Sequence, residues 1–253
     1  MSQSVVVPSF IRKLDRFDTN YVLISTIYFG NSSVVLTVGH KVVGLNPLTL
    51  TVRAGEWDTQ TAREPFPFVE SIVASMKVHE KLQRGTGTNN LALLFLATPI
   101  ANAEHINTIC LPPPNTIFDG ARCFVTGWGK DKFGEDGSYQ AILKKIDLPV
   151  FGRQNCTEMF RKTRLGKNYV LNESLICAGG EPGKDSCKGD GGAPLVCPVP
   201  GNEGYYYQAG IVAWGIGCGE DNTPGAYTNV AFFADWIDKQ MQDKGFKNST
   251  YTF

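Results

Sequence analysis

The sequence predicts an all-β fold, of the barrel or sandwich kind, that ends in a single α-helix. Ten short segments rich in Val, Ile, Leu, Tyr and Thr follow one another between residues 21 and 230. Turn-forming residues, 27 Gly and 14 Pro, separate these segments. Only the last apolar stretch changes from the period of a strand to the period of a helix. Short strands at regular spacing favour a barrel or a sandwich.

In chain order, the predicted strands cover 21–29, 34–38, 48–55, 91–96, 122–129, 141–151, 174–179, 193–197, 205–215 and 226–230. Prolines at 112–114 fix the backbone and remove donors, so the stretch 111–120 is predicted to connect two halves. A helix is predicted at about 230–242, because apolar residues recur there at helical spacing: Val230, Phe233, Trp236, Ile237 and Met241. We expect this apolar stripe to pack on the barrel.

Charge and composition argue against several classes of function. Lys and Arg together number 24, as do Asp and Glu, so there is no electrostatic basis for binding nucleic acid or an acidic membrane. No run reaches the roughly 18 apolar residues that a membrane helix needs. The three histidines, His40, His79 and His105, lie far apart, and no two cysteines have CxxC spacing. We therefore expect no metal site and no cofactor.

Cysteines and sequons indicate an oxidising, extracellular compartment. Seven cysteines occur, all from Cys110 onward. Four Asn-X-Ser/Thr sequons are predicted glycosylation sites: Asn31, Asn155, Asn172 and Asn248. Residues 1–20 lack the apolar stretch of a signal peptide, and 21–29 follows acidic residues, so it is predicted to be a core strand. Export information is expected outside this chain, unless the chain is a processed or truncated form.

Five separated motifs indicate the function. His40 lies in VVLTVGHKV, Asn90 lies in TNNLALLFL, and Gly191 lies in DSCKGDGGAPLVC. The segments CFVTGWG and AWGIGCGEDNTPGAYTNV complete the set. In this order, the motifs resemble those of the trypsin/chymotrypsin family of serine proteases, whose flanks read TAAHC, NDIALL and GDSGGP. Further segments look most similar to arthropod clip-domain serine protease homologues, namely 52–61, 64–70 and 108–114.

The resemblance covers residues 21–241 and implies the chymotrypsin-like fold, two six-stranded Greek-key barrels with a C-terminal α-helix. The first barrel is expected at about 21–112, the second at about 120–230 and the helix at about 230–242. A divergent N-terminal segment, 1–20, and a tail, 243–253, are expected to lie outside this domain.

The family mechanism requires a hydroxyl nucleophile, an imidazole base and a buried carboxylate. The resemblance places His40 at the base, Asn90 at the carboxylate and Gly191 at the nucleophile. A neutral amide cannot stabilise an imidazolium, and in this family that change alone lowers kcat about 10⁴-fold. Gly191 has no side chain, so acyl transfer is unavailable at this position. We therefore predict that no catalytic residue is functional and that His40 is a half-buried core imidazole.

The groups that bind substrate are retained, according to the resemblance. Asp185 corresponds to the floor of a specificity pocket, and Gly215 and Gly225 correspond to its walls, which implies a pocket for Arg or Lys. The alternative is that Asp185 is solvated or bonded internally. Backbone N–H groups at Gly189 and Gly191 correspond to the oxyanion donors, which need no side chain.

Asp190 pairs in this family with the N-terminal ammonium that cleavage releases. Residues 1–30 contain no Ile-Val-Gly-Gly-like stretch, and a buried carboxylate without a cation is costly. We therefore expect Asp190 to point elsewhere, as in a zymogen, which would leave the pocket disordered.

The resemblance also implies three disulfides, Cys123–Cys197, Cys156–Cys177 and Cys187–Cys218. The usual bridge beside the catalytic histidine is absent, because Lys41 stands where its second cysteine would be. With no cysteine before Cys110, the first barrel is predicted to be the less stable half. Cys110 is left unpaired, and in the family this position tethers an upstream segment such as a clip domain. It is either a free buried thiol or half of such a bridge.

The sequence therefore predicts an inactive serine protease homologue that binds and regulates protein partners in an extracellular proteolytic cascade of the immune or melanisation type. One alternative is an active trypsin-like endopeptidase with a displaced nucleophile. Another is a degenerate product without a selected role. No nucleic-acid or membrane partner is expected.

Overall fold

A computed structural model describes residues 10–13, 21–22, 27–29, 33–61, 65–202 and 204–247 of the chain. Two of the predicted glycosylation sites, Asn31 and Asn248, lie outside these residues, as does most of the predicted N-terminal segment 1–20. In the described part, strands dominate, and they divide into two groups at the predicted connector 111–120.

The first half is one antiparallel sheet of seven described strands in the order β2-β1-β5-β6-β7-β4-β3. The strands are β1 (Phe10–Lys13), β2 (Tyr21–Val22), β3 (Ile27–Phe29), β4 (Val34–Thr37), β5 (Leu50–Ala54), β6 (Val69–Val78) and β7 (Ala92–Leu96). The two edge strands, β2 and β3, are separated by only four residues, which limits the distance between the two edges to about 18 Å. The sheet therefore curves back on itself as a partial barrel.

The second half is a closed six-stranded barrel in the order β10-β13-β12-β11-β8-β9. Its strands are β8 (Arg122–Gly127), β9 (Lys144–Phe151), β10 (Leu175–Gly179), β11 (Pro194–Pro198), β12 (Tyr206–Trp214) and β13 (Pro224–Asn229). Strand β10 pairs with β9 as well as with β13, so the first and last strands of this order, β10 and β9, leave no open edge. Fully buried side chains from several strands, including Leu148 and Leu195, fill the interior.

The described helices are short. They are α1 (Gly39–Val42), α2 (Arg153–Arg161) and α3 (Ala234–Asp243), with 3-10 turns at Pro47–Thr49 and Val230–Phe233. None of the helices in the described ranges is long and apolar enough to cross a membrane.

The predicted C-terminal helix is confirmed, but it begins as a 3-10 turn before α3. Its stripe, which includes Phe233, Ile237 and Met241, is fully buried. It packs in a cluster with Leu36 and Leu93 of the first sheet as well as with Ile211 of the barrel. The last segment of the chain therefore joins both halves of the molecule.

The predicted fold class is confirmed, with differences in detail. The predicted strand 21–29 is divided into β2 and β3, and the prediction omitted β1, β6 and α2. In β6, Ser71 is buried while Ile72 is exposed, which reverses the usual alternation of apolar and polar faces. The buried hydroxyl of Ser71 is satisfied because it donates a hydrogen bond to Thr98 O at 2.7 Å.

Candidate functional site

His40 and Asn90 meet at the junction of the two halves. Helix α1, which follows β4, carries His40, and Asn90 lies two residues before β7. Asn90 is 1% exposed and Nδ2 lies 2.8 Å from Nδ1 of His40. The Asn90 backbone oxygen accepts a hydrogen bond from Oγ1 of Thr228 in the barrel, at 2.8 Å. The first two residues of the predicted triad are therefore in contact and anchored to both halves.

The backbone fixes the orientation of the Asn90 amide. The N–H of His40 donates to Oδ1 of Asn90 at 2.9 Å, so the amide nitrogen must face the imidazole. Because Nδ2 can only donate, Nδ1 of the neutral ring must accept a hydrogen bond from it. The ring hydrogen then lies on Nε2, on the side away from Asn90. A general base that serves a nucleophile needs a free lone pair on Nε2. In this tautomer Nε2 carries the proton and cannot accept another one.

His40 is also disfavoured as a cation. Burial lowers its pKa, and the charges of Lys41 and Arg84 lower it further. The imidazole is thus neutral near pH 7 and presents an N–H donor. It has no carboxylate that would stabilise the protonated form, since Asn90 occupies that place.

The side chain of Lys41 lies next to Gly191, the predicted nucleophile position. A Cβ atom built on Gly191 would lie 3.1 Å from Cε and 3.8 Å from Nζ of Lys41. Burial lowers the pKa of this half-buried lysine. No carboxylate pairs with its ammonium among the residues that the structure describes. The sequence analysis identified Lys41 only as the replacement of a cysteine. A lysine next to His40, together with a glycine at the nucleophile position, was the available signal that a lysine side chain could approach that position.

The loop that carries Gly191 is held in shape by Asp190. The Asp190 carboxylate is 9% exposed and accepts hydrogen bonds from the N–H groups of Gly129, at 2.8 Å, and Cys187, at 2.9 Å. Burial raises its pKa to about 6, and the two backbone donors oppose this shift. Within the described residues no ammonium contacts Asp190. The carboxylate instead braces its own loop.

The backbone around this loop leaves two donors unused. The N–H groups of Gly189 and Gly191 make no hydrogen bond to any described acceptor. The carbonyl of Lys188 accepts a hydrogen bond from Lys130 N at 2.9 Å. Because C=O and N–H point in opposite directions across a trans peptide, the N–H of Gly189 points away from Lys130. That these two groups act as oxyanion donors remains a prediction.

Asp185 is partly buried next to Gly225. A Cβ atom on Gly225 would lie 3.4 Å from Asp185 Oδ1. Oδ2 accepts a hydrogen bond from Gly219 N at 3.1 Å, whereas Oδ1 is buried without a hydrogen-bond partner. Burial is the largest cause that raises its pKa, to about 7, and the backbone N–H groups of Gly219 and Ser186 oppose it. An unsatisfied carboxylate oxygen beside a glycine has the chemistry to receive a cationic side chain.

A cleft of about 790 Å³ has His40, Asn90, Trp214 and Gly215 among its lining residues. A Cβ on Gly215 would meet only the carbonyl oxygen of Gly217, at 3.5 Å, so the backbone there is open. Arg84 and Arg164 line this cleft, but no acidic side chain does. That Asp185, Gly215 and Gly225 form one specificity pocket stays a prediction.

The three predicted disulfides, Cys123–Cys197, Cys156–Cys177 and Cys187–Cys218, are confirmed. Cys110 is free and half-buried, and burial raises the pKa of its thiol. The described residues contain no group of three or more His, Cys, Asp or Glu placed to hold a metal. Two predicted glycosylation sites, Asn155 and Asn172, have exposed side chains.

Comparison with protein-family profiles matches residues 23–237 to the family described as Trypsin. The chain belongs to the trypsin family. It is 49% identical over 233 residues to Phenoloxidase-activating factor 2 of Galleria mellonella, which covers 90% of this chain and 76% of that protein. It is 44% identical to Inactive CLIP domain-containing serine protease A28 of Anopheles gambiae, over 87% of this chain and 56% of that protein.

A third relative, Inactive CLIP domain-containing serine protease A3 of Aedes aegypti, is 44% identical over 83% of this chain and 46% of its own length. The chain thus spans about half the length of these two mosquito proteins. The likeness to clip-domain homologues, which the sequence motifs indicated, is therefore confirmed.

Proposed function

We propose that this trypsin-family chain is a catalytically inactive homologue that binds protein partners and regulates an extracellular proteolytic cascade of the insect immune or melanisation type. The names of its relatives support the proposal, since two of those reported above are called inactive and one is called a phenoloxidase-activating factor. The residues at the predicted triad positions support it independently.

One observation carries the proposal: the amide of Asn90 donates to Nδ1 of His40. The proton of the neutral imidazole then lies on Nε2, where a general base needs a lone pair. At the position where that base would act, Gly191 offers no hydroxyl and Lys41 fills the space. The site has neither a nucleophile nor a group that could activate one.

An active protease with a displaced nucleophile needs a serine near His40. Ser186 is the serine of the nucleophile motif, and its hydroxyl lies 3.1 Å from the hydroxyl of the fully buried Tyr227. Its hydroxyl therefore has a hydrogen-bond partner other than the imidazole. No observation therefore favours this alternative.

Extracellular localisation is part of the proposal. Three disulfides suit an oxidising compartment. Asn155 and Asn172 are exposed and available to glycosylation. Mass spectrometry of the protein purified from an insect secretion system should show glycan on one or both, and an unmodified protein would contradict this part.

The test of inactivity is an amidase assay with chromogenic Arg, Lys and aromatic peptides, together with a fluorophosphonate probe. We expect no turnover and no labelling from protein that circular dichroism shows to be folded. Turnover with labelling would overturn the proposal in favour of the displaced nucleophile.

The regulatory role is tested by adding the folded protein to a haemolymph phenoloxidase-activation assay. We expect the activation rate to change in a dose-dependent way, with heat-unfolded protein as the control. A monodisperse protein that leaves the rate unchanged and captures no cascade component would favour a degenerate product without a role.

A further inference from the structure

Positive charge is concentrated on two segments of this chain, although the net charge is zero. The segment 159–172 contains no acidic residue and four cations, which are Arg161, Lys162, Arg164 and Lys167. Lys and Arg number 24 in 253 residues, so a stretch of that length carries one or two on average. The segment 81–103 is also free of acidic residues and contains Lys81 and Arg84. The chain therefore has two local regions of a single sign.

The fold brings both segments to one cleft, the cleft of about 790 Å³ that His40 helps to line. Arg84 comes from the first segment and Arg164 from the second, and both are lining residues. Arg161 lies next to the cleft, because its Nε donates a hydrogen bond at 2.8 Å to the backbone oxygen of Tyr169, which also lines it. No acidic side chain is among the lining residues. Cations that are distant in sequence therefore border one space.

These cations are available to a ligand. The side chains of Arg84, Arg161 and Arg164 are exposed, and none of the ion pairs among the described residues includes a cation from either segment. Their charge reaches the interior of the cleft. Burial lowers the pKa of His40, and the charge of Arg84 is one of the causes that lower it further. A cleft bordered by one sign of charge concentrates its field and attracts the opposite sign.

The acidic residues that flank the two segments do not neutralise them. Glu80 accepts a hydrogen bond from Nε1 of Trp236 at 3.0 Å, and Glu158 accepts one from Nε2 of Gln154 at 3.2 Å. Glu173 is exposed and takes part in none of the ion pairs of the described residues. An external anion is therefore the partner that the two segments lack.

The remaining lining residues favour one kind of anion. They provide amides, a hydroxyl and aromatic rings, and include Gln83, Thr86, Asn168, Asn172, Tyr169 and Trp214. Amides exchange hydrogen bonds with the hydroxyls of a sugar, and the C–H face of a pyranose ring packs on an aromatic ring. The planar guanidinium of Arg donates paired hydrogen bonds to the oxygens of a tetrahedral anion. This combination suits a sugar chain that carries sulfate groups.

We propose that this cleft and the basic segment 159–172 form a binding site for a sulfated polysaccharide, in which Arg84 and Arg164 bind sulfate groups in the cleft and Arg161 and Lys167 extend the contact beside it. The site requires neither a nucleophile nor a pocket for a basic side chain. It goes beyond the proposed function and takes from it only the extracellular location, where such polysaccharides occur. Binding would hold the chain at sulfated cell surfaces and matrices.

The test is calorimetric titration of the full chain with four probes. These are a heparin oligosaccharide of defined length, the same oligosaccharide without its sulfate groups, a polyglutamate peptide of equal charge, and a single-stranded oligodeoxynucleotide of equal charge. We expect the heparin oligosaccharide to bind about tenfold more tightly than each of the others, or better. No binding of heparin, or binding no tighter than that of the peptide or the oligonucleotide, would overturn the proposal.

Variants assign the binding to residues. Arg84→Gln/Arg164→Gln removes the two cations of the cleft and should weaken heparin binding by about tenfold or more. The slope of log affinity against log salt concentration should fall by about two, because about one counterion fewer is released for each lost cation. The matched control, Lys144→Gln/Lys239→Gln, removes the same charge from exposed lysines on β9 and α3 and should change neither quantity. Equal losses in the two variants would show that only net charge matters and would overturn the site.

A glycan on Asn172 would cover part of the cleft, since this predicted glycosylation site is one of the lining residues. The titrations are therefore repeated on Asn172→Gln, which keeps an amide at this position but is not a glycosylation site. We expect this variant to bind heparin at least as tightly as the unmodified protein. Absence of heparin binding in both forms would overturn the proposal. Failure of the proposed function is a different result, because it shows as turnover of a chromogenic peptide.

Discussion

The two halves of the molecule contribute differently to the site. The C-terminal barrel is closed, contains all three disulfides and supplies the binding groups around Asp185 and Gly191. The N-terminal sheet has no disulfide among its described residues and supplies His40, Lys41 and Asn90. The barrel carries the residues of the predicted pocket and oxyanion donors, whereas the sheet half carries the predicted base position, His40, and its hydrogen-bond partner Asn90.

The positions of the disulfides sharpen this contrast. Cys187–Cys218 ties the loop of Asp185 and Gly191 to the segment that follows Gly215. His40 and Lys41 lie on a four-residue helix without a side-chain cap. Covalent bracing therefore lies on the side of the predicted pocket.

The largest effect on stability is expected from the disulfide that closes the longest loop. Replacing Cys123 and Cys197 by Ser should lower the free energy of unfolding of the barrel by about 4 kcal/mol, because the bridge closes a loop with a separation of 74 residues. Urea unfolding measured by tryptophan fluorescence checks this. Cys110→Ser is the control and should change the free energy by less than about 0.5 kcal/mol. Equal effects of the two changes would show that the bridge itself does not stabilise the barrel.

A core truncation in each half comes next. Leu94 in the sheet and Leu195 in the barrel are both fully buried, so replacement by Ala should cost about 2–5 kcal/mol in each. Native-state hydrogen exchange should show that Leu94→Ala speeds exchange mainly in β4–β7, and that these strands exchange before the barrel in the unmodified protein. Simultaneous exchange of both halves would contradict the prediction that the first half is less stable.

The buried carboxylates of the barrel give a pH dependence. Burial raises the pKa of Asp185 to about 7 and of Asp190 to about 6, from the model-compound value of 3.8. The folded state therefore binds more protons between pH 4 and pH 7, and these groups make stability fall as pH rises through that window. The loss is on the order of 3–4 kcal/mol for each group.

Unfolding at a series of pH values, for the unmodified protein and for Asp185→Asn, measures this contribution. The variant should lose most of the slope near pH 6–7. The control is Asp147→Asn, because the ion pair with Arg122 lowers the pKa of that exposed carboxylate. Its contribution has the opposite sign and belongs to lower pH. An unchanged slope in Asp185→Asn would show that Asp185 is already paired or solvated.

The smallest effect is expected at a helix cap in the sheet half. Asn46 Oδ1 accepts a hydrogen bond from Leu48 N at 3.1 Å and caps the 3-10 turn Pro47–Thr49. Asn46→Ala should lower stability by about 0.5–1 kcal/mol. Asn46→Asp, which keeps the acceptor, should be close to neutral in the same thermal melt. A loss as large as that of a core truncation would mean that this turn nucleates the sheet.

Much of the fold was predictable because strand segments with regular apolar content are local signals. The segments 122–129 and 205–215 became β8 and β12 with only small changes at their ends. Strand β6 was missed because its inward residue is Ser71 and its outward residue is Ile72, an inversion that only the neighbouring Thr98 makes tolerable. Helix α2 was missed because its buried residues, Cys156, Thr157 and Phe160, are few and include a hydroxyl.

The sequence predicted which residues occupy the site, but it did not predict how their side chains are hydrogen-bonded and packed. His40, Asn90 and Gly191 could be located from the motifs that flank them. The hydrogen-bond direction between His40 and Asn90 could not, because it depends on a backbone N–H contact across 50 residues of sequence. The presence of Lys41 in the space above Gly191 is likewise a property of packing. The pairing of Asp190 with the N–H groups of Gly129 and Cys187 could not be predicted either, because it requires the folded loop.

The measurement that tests the central claim most directly is the restoration of the missing groups. Lys41→Ala/Gly191→Ser, which clears space and adds a hydroxyl, is compared with the triple variant that also carries Asn90→Asp, on a chromogenic Arg amide. If the residues at these positions cause the inactivity, the unmodified protein shows no turnover. The triple variant then has a kcat about 10³–10⁴-fold higher than the double variant. Turnover by the unmodified protein, or equal kcat in the two variants, would contradict the account.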